Sequence, residues 1–116
     1  MNEDIKSYIE KYSDQINKLF VKLRTLIYDS VSQNIEEKLW VKLPSYYIGE
    51  NFVRLIPFKD HINIEAEAVS RYKSELSSFK ITPKGMLQIY LNQDVHDDIF
   101  VKIFRKTLLG LNVKIS

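Results

Sequence analysis

The chain has 116 residues, enough for one domain with its own core and too few for two ordinary ones. It is 45% hydrophobic and 28% charged with three Gly and three Pro, which excludes a disordered chain, and the absence of cysteine excludes disulfides, thiolate metal sites and a cysteine nucleophile. Seventeen basic and 15 acidic residues leave a net charge of +2 with the signs mixed along the chain, so no basic stripe marks a nucleic-acid partner and none is expected.

The opening MNEDIKSYIEKY is acidic and amphipathic, without the basic start and apolar run of a signal peptide. No stretch is apolar enough to span a bilayer, so a cytoplasmic address with no membrane partner is expected. Ile5, Tyr8, Ile9 and Tyr12, then Ile16, Leu19, Phe20, Leu23, Leu26 and Ile27, recur at helical spacing. They predict helices at about 3–12 and 14–31, or one continuous bent helix, with Ser13 as a cap between them. Asn34 can cap a brief helical turn through 35–38. From Trp40 to Ile48 the composition favours a strand, which Pro44 marks as an edge or a bulge. Gly49-Glu50-Asn51 is a turn signal. Residues 52–56 and 61–65 alternate as a hairpin around Lys59-Asp60, and 68–76 reads as a short helix. Residues 77–83 return to turn chemistry, and 86–91 is a nearly all-apolar strand, expected at the sheet centre. A final helix at about 95–109 has Asp94 as its cap and Gly110 as its stop, and 111–116 reads as a short strand or a frayed end. The class is α+β: one domain over 1–116, an antiparallel sheet covered on one face by N-terminal and C-terminal helices.

Local motifs follow in the same order. Leu23-Arg24-Thr25-Leu26-Ile27 precedes Glu36-Glu37-Lys38-Leu39-Trp40, then Leu43-Pro44-Ser45-Tyr46, Phe58-Lys59-Asp60-His61-Ile62 and Lys84-Gly85-Met86-Leu87-Gln88-Ile89. In this order and spacing the chain resembles the YdhG-like family of bacterial frataxin-like proteins over nearly its whole length. It departs at Val41-Lys42-Leu43-Pro44, where that family has Tyr-Gly-x-Pro. The resemblance implies a curved antiparallel sheet backed by terminal helices. It also implies an iron chaperone that holds Fe(II) weakly for iron–sulfur cluster or haem assembly proteins, as a monomer or weak homodimer.

Carboxylates and imidazoles suit iron. The densest such group is Asp94, His96, Asp97 and Asp98, and a second acidic face holds Glu3, Asp4, Glu10 and Asp14. The first is also ordinary helix-cap and first-turn chemistry, and the second, interrupted by Lys6 and Lys11, also reads as a solvated helix face. A third group, Lys59, His61 and Lys84 with Trp40 and Tyr46, sits at motif positions and would form a basic, aromatic-lined pocket for a small anion or metabolite if the sheet gathers it. No HExxH, glycine-rich phosphate loop or nucleophile elbow is present, so catalysis is not expected. A protein-interaction domain using an exposed sheet face is the remaining reading, which a broad apolar surface would favour.

Overall fold

A computed structural model describes residues 1–110; the tail read as a short strand or frayed end lies outside the described residues. The first helix, α1 (Glu3–Ile9), begins at Asn2, whose side chain accepts from the Asp4 and Ile5 amides. The second, α2 (Asp14–Asp29), begins at Ser13, whose Oγ accepts from the Ile16 amide at 3.1 Å. Two helices, not one bent one, therefore open the chain.

Six strands follow among the described residues: β1 (Glu36–Trp40), β2 (Leu43–Ile48), β3 (Asn51–Pro57), β4 (His61–Ala66), β5 (Lys80–Ile81) and β6 (Leu87–Tyr90). They form one antiparallel sheet in the order β1-β2-β3-β4-β6-β5. The last helix, α3 (Asp97–Leu109), ends at Gly110, whose φ of 102° suits glycine.

Several expectations are corrected. Residues 36–38 are strand, because Glu37 and Leu39 point to the helices while Glu36, Lys38 and Trp40 point away. Pro44 lies in β2, which is flanked on both sides, but the β2–β3 ladder starts at Ser45↔Arg54, so the missing N–H interrupts nothing there. Residues 67–71 form a 3-10 turn, not an α-helix. The 77–83 stretch contains the short β5, and β6 lies next to the sheet edge, not at its centre. The cap of α3 is His96, whose carbonyl accepts from Phe100 at 3.0 Å, not Asp94.

The helices cover one sheet face. Ile16, Phe20, Leu23 and Ile27 of α2 and Phe100, Ile103, Phe104 and Leu108 of α3 pack on Tyr46, Val53, Leu55, Ile62, Ile64, Leu87 and Ile89 as one continuous apolar core. A polar clasp ties α1 and α2 to the edge strand. Glu37, with a side chain only 7% exposed, accepts from Arg24 Nε at 2.5 Å, from Arg24 Nη2 at 3.1 Å and from the Asn2 amide at 2.8 Å. The Asn2 side-chain amide also donates to the Glu37 carbonyl at 3.3 Å, closing part of the open edge of β1. Burial raises the Glu37 carboxyl, but the Arg24 and Asn2 hydrogen bonds outweigh it and hold the group below the ordinary carboxylate value. Tyr46 is fully buried beside it, and burial followed by the Glu37 charge drives its phenol above the ordinary value.

The β1–β2 connection is strained. Val41 and Lys42 have φ of 48° and 64°. This is the two-residue turn with both central residues left-handed, which Asn-Gly favours and a β-branched residue opposes. Lys42 stands where the resemblance expects glycine.

Two stability predictions follow from the clasp and the turn. A depressed folded-state pKa means that the Glu37 contribution is present above the ordinary carboxylate range and is lost as pH falls through it. Glu37→Gln should lower unfolding free energy by about 2 kcal/mol at neutral pH and flatten the stability loss between about pH 5 and about pH 3; an unchanged acid slope in urea titrations would contradict the assignment. Val41→Asn with Lys42→Gly should raise stability by about 1–2 kcal/mol, read as an upward shift of the urea midpoint; a lower midpoint would show that the turn is not strained.

Candidate functional site: the uncovered sheet face

Because side chains alternate along a strand, covering one face with helices leaves the other to solvent. That face is not simply polar. Its left half is organised by Arg54 of β3, which is 5% exposed. The guanidinium donates from Nε to Ser45 Oγ at 2.8 Å, from Nη1 to Glu65 Oε1 at 2.9 Å and from Nη2 to the Tyr47 hydroxyl at 3.2 Å. It also lies over two rings, with Cζ 4.2 Å from the Trp40 ring centroid and 4.1 Å from that of Phe52. A cation so placed gains from both ring quadrupoles and holds Trp40 and Phe52 in register.

The right half is a stack. Phe58, His61 and Tyr90 lie with successive centroids 4.6 Å apart and interplanar angles of 5° and 25°. His61↔Tyr90 is a cross-strand pair of β4 and β6, so their spacing follows that of neighbouring strands. His61 Nδ1 lies 2.7 Å from Asp60 Oδ1, and this hydrogen bond holds the exposed Asp60 carboxyl below its ordinary value. Between the halves, Asn63 is buried, with its Nδ2 3.9 Å from Met86 Sδ and its Oδ1 without a hydrogen-bond partner among the described residues. Trp40 and Phe58, at the ends of these two arrays, are 48% and 43% exposed.

The structure separates the residues assembled from sequence. Trp40, Lys59 and His61 lie toward one end of the sheet, and Tyr46 is in the core on the opposite face. Lys84 lies at the other end of the β4–β6 pair, beside a cleft of about 450 Å³ also bordered by Glu50, Glu65 and Glu67. That cleft contains none of Trp40, Tyr46, Lys59 or His61, and its carboxylates oppose an anion. The five residues do not form one pocket.

Some of the expected iron ligands have other partners or ordinary helix-end positions. Asp97 pairs with Lys22 at 2.7 Å, and His96 packs its ring against Phe79 at 4.9 Å. Glu3 and Asp4 lie in the first turn of α1, Glu10 caps its end and Asp14 starts α2. Among the described residues no three carboxylate or imidazole groups converge.

Arg54, Phe52 and Tyr90 were not singled out by sequence reasoning. A signal existed for the first, since an arginine between apolar neighbours in a strand requires partners wherever it is buried. Arg54→Met should leave Glu65 unpaired and free the Trp40 ring, costing about 2 kcal/mol of stability and lowering the fluorescence anisotropy of Trp40, the one tryptophan in the chain; unchanged anisotropy would show that Arg54 does not hold the ring. Among the described residues no helix is long and apolar enough to cross a membrane. No family model, curated protein or solved structure matches this chain.

Proposed function

We propose that this chain is a recognition module, not an enzyme, and that it engages its partner through the aromatic end of the uncovered sheet face. One observation carries the reading: Trp40 and Phe58 are about half exposed yet locked, one over Arg54 at 4.2 Å and the other against His61 at 4.6 Å. An exposed aromatic that is already ordered loses little side-chain entropy on binding, which is the property of an interface anchor. Arg54 is 5% exposed, each of its three nitrogens donates a hydrogen bond and two rings lie against it, so it acts as a support and not as a contact. Among the described residues no three carboxylate or imidazole groups come together to favour iron handling, and Lys84 lies at the other end of the β4–β6 pair from Lys59 and His61.

Site-specific photo-crosslinking tests this. A photoreactive phenylalanine placed at Phe58 in cells expressing the chain should give a discrete covalent adduct. The same group at Val21, which is 47% exposed on α2 away from this face, should not. Trp40→Ala should lower the adduct at position 58 by about tenfold, the loss of one interface anchor. Equal labelling from both positions, or none from Phe58, would refute the reading.

A further inference from the structure

The exposed apolar side chains are not scattered. Antiparallel order places the β1–β2 turn, the β3–β4 turn and the segment after β6 along one rim of the sheet. The Leu91 amide donates to the Asp60 carbonyl at 3.1 Å, tying the third segment to the second. These three tips carry Val41, 72% exposed, with Trp40, Phe58 and Leu91. Of the other large hydrophobics exposed among the described residues, Met1 and Val21 lie elsewhere. With neighbouring strands about 4.8 Å apart, the tips form a row about 17 Å long.

The charges on the rim are complementary to an anion. Lys42 and Lys59 are exposed on the same turns and form no salt bridge among the described residues. Lys18 of α2 borders a shallow hollow with Leu91. The rim also carries the exposed carboxylate of Asp60, which hydrogen-bonds His61 and feels the Lys59 charge, and Lys18, Lys42 and Lys59 outnumber it.

Resting on the recognition reading above, we propose that this rim docks on an anionic lipid surface, with Trp40, Val41, Phe58 and Leu91 entering the headgroup boundary and Lys42 and Lys59 meeting lipid phosphates. Shape favours a bilayer over a folded protein partner. A stable protein interface needs about 800 Å² of complementary surface on each side, whereas a narrow row of exposed apolar side chains at the strand ends, flanked by lysines, suits a soft, penetrable interface. The turn supports the same reading. Val41 in a left-handed conformation is costly for folding, and strain of this kind accumulates where a side chain is displayed for use. The contact is peripheral, since no described helix is of a membrane-spanning kind.

Trp40 is the only tryptophan, so its emission reports the rim directly. The full chain is mixed with phosphatidylcholine vesicles, with and without phosphatidylglycerol. The expected result is a blue shift of Trp40 emission and co-sedimentation with the anionic vesicles alone. Lys42→Gly should weaken partitioning about fivefold, the effect of one lysine at a charged surface. The Val41→Asn, Lys42→Gly double variant, whose turn is ideal for the hairpin, should remain folded by circular dichroism and lose binding further. Absence of both signals with anionic vesicles overturns the lipid assignment, as does full binding by the double variant. In the crosslinking experiment, a protein adduct from Phe58 beside a negative vesicle result would overturn the lipid partner and keep the recognition reading. No adduct at all would remove both.

Discussion

A sheet with helices on one side only must expose half of its side chains to water, and the architecture of this protein turns on how that half is managed. Alternation places Val53, Leu55, Ile62 and Ile64 toward α2 and α3, so Arg54, His61 and Asn63 must face outward. A purely polar outer face would have been the simplest outcome. Instead, rings from neighbouring strands cover one another, and one guanidinium lies over two of them. The face is ordered by its own side chains without a second helical layer.

The two buried arginine–carboxylate pairs do different work. Arg24 and Glu37 lie between the helices and the edge strand, and removing either would leave a charge without its partner under α1 and α2. Arg54 and Glu65 lie on the outer face, where Glu65 is partly solvated and the guanidinium is shared with Ser45, Tyr47, Trp40 and Phe52. The first pair joins elements. The second shapes a surface, leaving Trp40 rigid while still in contact with solvent.

Much of the fold was legible because it is local. Ser13 caps α2, Gly110 ends α3, and His61 to Glu65 alternate as read. Residues 36–38 misled because Glu and Lys favour helices, and because an inward carboxylate is intelligible only once Arg24, from another element, stands beside it. β5 is two residues long, too short for any periodicity to show. The site was legible in fragments. Trp40 and His61 drew notice, but Tyr90 joins His61 through the β4–β6 pairing, which passes over β5, and no local pattern encodes that order. Lys84 and Lys59 were grouped by chemistry, whereas the direction of β4 and β6 sends them to opposite ends.

The hydrogen bonds from Asn2 to Glu37 bear on assembly. β1 is a terminal strand of the sheet, and a terminal strand offers unpaired backbone groups to any other extended chain. Asn2 occupies one of those groups with its side chain while its backbone amide is held by the Glu37 carboxylate. Asn2 therefore serves as a guard at this point of the sheet edge. Loss of the Asn2 side chain or of the Glu37 charge that holds it would free the Glu37 carbonyl for pairing with another extended chain. The residues that hold the first helix in place thus also help to keep one molecule from adding its sheet to the next.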